Sequence, residues 1–189
     1  IVRDIGRHKV VALADRLRAI AGADRVEIEA VPRSIFDREG EEALKGADVI
    51  VGGLDTHVAR YYLNRFAAQY CVPYFDSGVS IRADETVDFQ SRYVAVIPGA
   101  TACMECSAYT LIDCADVERA LMDDVTAACR RSAGYVDGKP EIAAAASAYA
   151  LNMRATSALV MELQNWICGF RPLATCTMER WRDGHLQDR

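Results

Sequence analysis

Residues Gly46–Gly78 read GADVIVGGLDTHVARYYLNRFAAQYCVPYFDSG, and this stretch decides the fold class. A short apolar run, Val49–Val51, leads into two glycines and then a single carboxylate, Asp55. A helical pattern over His57–Tyr70 and a strand-like run at Val72–Phe75 follow. This order predicts a strand–helix–strand unit of a parallel sheet. Asp55 then lies just past the carboxyl end of the first strand, at the edge where open α/β sheets bind their ligands.

The segments before this unit also carry patterns of regular structure. Apolar residues at three- and four-residue steps predict a first helix, and an alternating VEIEAV run predicts a strand. A second, short helix precedes the opening strand. The predicted bounds are a helix at Gly6–Ile20 with Asp4 as its cap, a strand at Val26–Val31, and a helix at Ser34–Lys45 capped by Ser34 and stopped by Gly46.

The segments after the unit add antiparallel character. Alternation predicts a strand or hairpin at Val87–Ile97 and a last strand at Leu173–Trp181. Helices are predicted near Asp116–Asp123 and at Glu141–Cys168, the longest, which Gly169 ends. The whole predicts an α/β, Rossmann-like three-layer fold with a mixed, partly parallel sheet. No repeat, linker or charge block divides the chain, so a single domain over residues 1–189 is expected.

Composition narrows the class of function. The net charge of −5 argues against a nucleic-acid-binding face, which is usually basic. No apolar run approaches the roughly 20 residues of a membrane span. Seven cysteines with one tight pair, Cys103 and Cys106, do not form a dense disulfide framework. A protein of the reducing cytoplasm is predicted.

Several motifs occur in a fixed order along nearly the whole chain, and together they carry a family resemblance. They are DIGRHK at 4–9, DVIVGG at 48–53, LDT at 54–56 with Arg60, Pro73 with Gly78, VIPG at 96–99, CMEC at 103–106, and a long Ala-rich helix that ends at Gly169. This order resembles the ThiF/MoeB/HesA family, the adenylating domain shared with ubiquitin-activating enzymes. The resemblance implies ATP-dependent, Mg²⁺-dependent adenylation of the carboxyl-terminal glycine of a ubiquitin-like or sulfur-carrier protein. It also implies a homodimer.

The resemblance assigns roles to three polar residues. Asp55 is expected to bind Mg²⁺, Lys9 to contact ATP phosphates as the second catalytic residue, and Arg7 to assist in ATP binding. Each has an ordinary alternative: Asp55 as the cap of the helix at 57–70, and Lys9 as a solvated helix lysine. Arg60 is expected to serve a structural ion pair.

The cysteines have two expected uses. Cys103 and Cys106 have the spacing of a zinc knuckle, with buried or loop thiols as the alternative. Two thiolates leave a tetrahedral zinc site half complete, and no spacing identifies the other ligands. Cys114 and Cys129 are candidate thiol acceptors for a thioester or persulfide, and a structural role is the alternative for each.

Two departures from the family pattern keep other functions open. The chain has neither the glycine-rich G-x-G-x-x-G loop nor a second CxxC pair, so we expect it to begin after the glycine-rich element. One alternative is a non-catalytic subunit that only binds a ubiquitin-like partner. Another is a fragment of a Rossmann oxidoreductase, in which Glu29 would be the nearest candidate to bind a ribose.

Overall fold

The computed structural model describes residues 4–22, 25–83, 87–107, 111–121, 149–182 and 185–188. The chain forms two compact units, Ile1–Ala47 and Asp48–Arg189. The expected single domain stays a prediction.

The first unit begins with helix α1, Lys9–Ala21. The predicted cap is wrong, because α1 begins after His8, whose side chain makes no capping hydrogen bond. The carboxylate of Asp4 instead pairs with the guanidinium groups of Arg7 and Arg16. Of the α1 side chains, only Ala14 is buried, so the predicted apolar stripe is largely exposed.

The rest of the first unit corrects two further predictions. Residues 26–31 are not a strand, since among the described residues no neighbouring strand completes a ladder with them. Helix α2 is Arg38–Lys45 and ends at Gly46 as predicted, but its cap is Asp37. Ser34 instead forms the turn before it, where its carbonyl accepts the Asp37 N–H at 3.1 Å.

The second unit contains a five-stranded sheet in the order β1-β2-β3-β4-β5. The parallel pair is β1 (Ile50–Val51) with β2 (Tyr74–Ala83); the remaining pairs are antiparallel, with β3 at Val87–Val96, β4 at Cys176–Arg182 and β5 at His185–Asp188. The mixed, partly parallel sheet is therefore confirmed. Strand β2 begins two residues later than predicted and runs on past Gly78 into a hairpin with β3.

Helices cover both faces of this sheet. Helix α3 (His57–Tyr70) and helix α5 (Tyr149–Cys168) flank it, and α4 (Cys114–Leu121) contacts α3. Successive residues of a strand point to opposite faces. Phe75 packs against Trp166 of α5, with ring centroids 5.7 Å apart. The next residue, Asp76, bonds to Arg60 of α3. Two helical layers thus enclose the sheet, as predicted for an α/β Rossmann-like fold.

One buried apolar cluster lies between the sheet and α5. It consists of Phe75, Tyr93, Ala95 and Leu159. A buried carboxylate, Glu162, then ties the following loop to α5, because it accepts the Ala174 N–H at 2.7 Å and pairs with Arg171. Gly169 ends α5 with φ of +67°, as predicted.

None of the described helices has both the length and the apolar character needed to cross a membrane.

Candidate functional site

A cavity of about 590 Å³ lies beyond the carboxyl end of β1. The β1–α3 loop contributes Gly53, Leu54 and Asp55, strand β2 contributes residues 77–79, α3 contributes Arg60, and α5 contributes Asn152, Ala155 and Thr156. Elements from both faces of the sheet therefore meet where the short strand β1 stops. This is the edge at which the sequence predicts a ligand.

A glycine and a threonine fix the conformation of the loop that carries Asp55. A Cβ on Gly52 would lie 2.8 Å from the Asp76 carboxyl carbon, so only glycine lets the chain pass this close to β2. Thr56 caps α3 by accepting the Ala59 N–H at 3.3 Å. The alternative role of Asp55 as the cap is therefore wrong.

Asp55 is exposed and lines the cavity. It forms no hydrogen bond or ion pair with the residues that the structure describes. Its carboxylate oxygens are thus available to a cation or a ligand in the cavity.

Arg60 is buried behind this loop, with only 8% of its surface exposed. Its Nε donates to Asp76 Oδ2 at 3.1 Å, and Nη2 donates to the carbonyl oxygens of Leu54 and, at 3.4 Å, Ser77. The ion pair predicted for Arg60 is confirmed. The guanidinium joins the loop that carries Asp55 to strand β2.

Asp76 is fully buried and has three donors. Besides Arg60, the Tyr74 hydroxyl donates to it at 2.6 Å and the Ser77 N–H at 2.8 Å. Burial raises the pKa of Asp76 even though the Arg60 charge and these hydrogen bonds oppose the shift. Burial and the neighbouring carboxylate also raise the pKa of Tyr74. Sequence reasoning missed Tyr74 and Asp76; an aspartate inside the apolar run YFDSG was the available signal.

The two predicted phosphate-binding residues belong to the first unit. Lys9 is the first residue of α1, is exposed, and has no hydrogen bond or ion pair to a described residue. Arg7 pairs with Asp15 and Asp4, and the hydrogen bond to Asp15 raises the pKa of Arg7. The Lys9 ammonium is therefore available to a ligand, whereas the Arg7 guanidinium already pairs with two carboxylates.

The CxxC segment forms a tight turn against α3. The Sγ atoms of Cys103 and Cys106 lie 3.4 Å apart. Between them Met104 is fully buried, and its N–H donates to Asn64 Oδ1 at 2.9 Å. The side chain of Asn64 in turn donates to Glu105 at 3.1 Å. The predicted pair is thus brought together and held on α3.

The two thiols of this turn differ in acidity. Burial alone would raise the pKa of Cys103, but hydrogen bonds from Cys106 and from the Glu105 backbone outweigh it and lower that pKa. The hydrogen bond to Cys103 raises the pKa of Cys106. Two thiolates are half of the four ligands that a tetrahedral structural zinc site requires. The described ranges hold no group of three or more histidine, cysteine or acidic side chains placed to bind a metal, so the fit to zinc covers half a site.

Of the candidate thiol acceptors, Cys114 is exposed at the first position of α4. The preceding residue, Asp113, donates its N–H to His57 Nδ1 at 3.2 Å, which fastens the start of α4 to α3. Cys129 lies outside the described residues.

Fold and cavity define the class: an α/β protein with a cavity beyond the carboxyl end of a parallel strand. Comparison with known families gives the particular family. The model of the ThiF family matches residues 2–176, so this chain belongs to the ThiF family. No curated protein matches the chain.

Proposed function

We propose that this protein adenylates the carboxyl-terminal glycine of a ubiquitin-like or sulfur-carrier protein at the expense of ATP. The observation that carries the proposal is the position of Asp55, which lines the cavity and is not used as a helix cap. Membership in the ThiF family supports the reaction class.

The reaction joins two anions, so charge must be neutralised. The glycine carboxylate attacks the α-phosphorus of ATP, an O–P bond forms, and the bond to pyrophosphate breaks. Mg²⁺ prefers oxygen ligands and takes few from the protein, so the single carboxylate of Asp55 fits it. Bound there, it would reduce the repulsion between carboxylate and phosphates. In the same proposal the Lys9 ammonium contacts ATP phosphates and Arg7 assists it.

Later steps and assembly rest on other residues. Cys114 or Cys129 is the proposed acceptor if the activated carboxyl group passes to a thiol. Cys103 and Cys106 are proposed to hold zinc in a structural role, and no chemical step depends on it.

We also propose a homodimer, which exposed apolar side chains on α5 support: Met153, Val160, Met161 and Ile167.

ATP–pyrophosphate exchange in the presence of a Gly-Gly-terminated carrier protein tests the function. Asp55→Asn should lower the exchange rate on the order of 100- to 1,000-fold, because one charge-stabilising group is lost. Asp48→Asn is the matched control, since Asp48 is also exposed but does not line the cavity.

Two results would contradict the proposal. Exchange by Asp55→Asn within twofold of wild type would remove Asp55 from the reaction. Carrier binding without any exchange by the wild type would favour the non-catalytic subunit instead.

A further inference from the structure

The guanidinium of Arg60 is fixed on one side by protein groups. Its Nε donates a hydrogen bond to Asp76, and its Nη2 donates to the carbonyl oxygens of Leu54 and Ser77. The space beside it exists because residue 78 is glycine: a Cβ there would lie 3.0 Å from Nη2. The orientation of the side chain is therefore settled before any ligand arrives.

The remaining nitrogen, Nη1, has no such partner. It hydrogen-bonds to none of the residues that the structure describes. Yet no buried side-chain nitrogen or oxygen among them lacks a partner. Nη1 must therefore keep contact with solvent. Because Arg60 is more than nine-tenths buried and lines the cavity, that contact is with the cavity.

We propose that Arg60 is a substrate-binding residue, which donates a hydrogen bond from Nη1 to an anionic oxygen held in the cavity. The inference rests on the proposed function, which brings two such oxygens to this place: the α-phosphate of ATP and the glycine carboxylate. A preorganised guanidinium binds either oxygen with little ordering cost. Asp55 then binds the cation, and Arg60 contacts the anion.

Calorimetry on the full chain measures the contact, by comparing the affinity of a charged ligand with that of its neutral counterpart. AMP against adenosine isolates the phosphate, and a synthetic peptide ending in Gly-Gly against its carboxyl-terminal amide isolates the carboxylate. Arg60→Lys keeps a charge for Asp76 but has a single nitrogen, which cannot serve both the clamp and the cavity. Arg65→Lys is the control, since Arg65 is an exposed arginine of α3 that does not line the cavity.

In Arg60→Lys the preference for one charged ligand over its neutral counterpart should fall roughly 10- to 100-fold, the range for a hydrogen bond to a charged group. If the preference for AMP over adenosine falls, Arg60 contacts the phosphate. If the preference for the free peptide over its amide falls, Arg60 contacts the carboxylate. Arg65→Lys should change neither ratio.

Two results would overturn the inference. If both ratios are unchanged in a folded Arg60→Lys protein, Arg60 is only a structural clamp, and the proposed function still stands. If the wild type shows no preference for AMP or for the free peptide, the proposed function fails as well. Should Arg60→Lys not fold, NMR of arginine-labelled wild type decides: AMP or the free peptide must shift a slowly exchanging guanidinium signal, and the neutral ligands must not.

Discussion

The apolar stripe of α1 in the first unit and the core cluster of the second unit differ in burial. In the first unit, the stripe on α1 stays open, with Leu13 54% and Ile20 82% exposed. In the second unit, Phe75 and Leu159 are at most 1% exposed. Both segments have clear periodicity in the sequence. The difference teaches that periodicity identifies the apolar face of an element, whereas burial depends on what lies against it.

The surface ion pairs of α1 and the Arg60–Asp76 pair also differ in burial. Those of Asp4 and Asp15 with arginines lie on the surface of the first unit, where water screens them. The Arg60–Asp76 pair of the second unit is enclosed, with side chains 9% and 0% exposed. Breaking the Arg60–Asp76 pair leaves a buried charge, and breaking the pairs of Asp4 or Asp15 does not.

The largest expected effect is therefore from Arg60→Met. At neutral pH it should lower the free energy of unfolding by about 3–5 kcal/mol, because Asp76 is left charged and buried. Guanidinium denaturation followed by circular dichroism measures this, with Arg16→Met in the first unit as the control that leaves the midpoint unchanged.

The same variant has a pH signature. Burial raises the pKa of Asp76 above its ordinary value of 3.8, so its contribution to stability is complete below that pH and is lost as the pH rises through the folded pKa. Removal of Arg60 should raise that pKa further and enlarge the loss. A deficit that is equal at pH 4 and pH 7 would contradict a charged, buried Asp76.

Core packing provides the second comparison, with leucines matched between the units. Leu159→Ala should cost about 2–5 kcal/mol, because the cavity it leaves cannot fill. Leu17→Ala, on the exposed stripe of α1, should cost under about 0.5 kcal/mol. The denaturation midpoints of the two variants measure both losses of stability. Equal losses would mean that α1 is covered in solution.

Close backbone approach gives a third, smaller effect. Gly52→Ala forces a methyl group against Asp76 and Tyr74 and should cost about 1–3 kcal/mol. Gly46→Ala is the counterpart in the first unit, where no atom lies within 4 Å of the added Cβ, and it should be neutral. Thermal melts of both proteins test the pair; a neutral Gly52→Ala would mean that the strand edge yields easily.

The smallest expected effect comes from Glu162→Gln. Burial alone would raise the pKa of Glu162, but the Ala174 N–H and Arg171 outweigh it and lower that pKa below the ordinary 4.5. The stability that the charge contributes is therefore present above pH 4.5 and is lost as the pH falls through the folded pKa.

The Glu162→Gln deficit should thus be about 1–2 kcal/mol at pH 7 and shrink below pH 4.5. Asp15→Asn of the first unit also removes a carboxylate whose pKa an arginine lowers, but it is exposed and should change stability less at every pH. Urea denaturation from pH 3 to 7 measures both, and a deficit that grows in acid would reverse the assignment.

Local patterns predicted most of the regular elements. The helix His57–Tyr70 has the predicted bounds, because its stripe, its capping Thr56 and the turn at Cys71 agree. The predicted strand at Val26–Val31 was wrong, since alternation alone does not provide the neighbour with which a strand must bond. Asp4 and Ser34 were wrong as caps because each found a different partner nearby.

The site was only half predictable. Asp55 was identifiable because its place after a parallel strand follows from chain order. The network behind it was not, because Asp76 and Arg60 are sixteen residues apart and meet only when α3 packs on β2.

The amino-acid sequence by itself determined the strand–helix–strand unit, the family and the carboxylate at the strand end, since these depend on neighbours along the chain. Tertiary structure alone decided which residues are enclosed: it buried Arg60 with Asp76, opened the cavity beside Asp55, and left the stripe of α1 exposed. The physical reason is that burial, and with it the strength of a charge or the value of an apolar side chain, depends on contacts between segments that are distant in sequence.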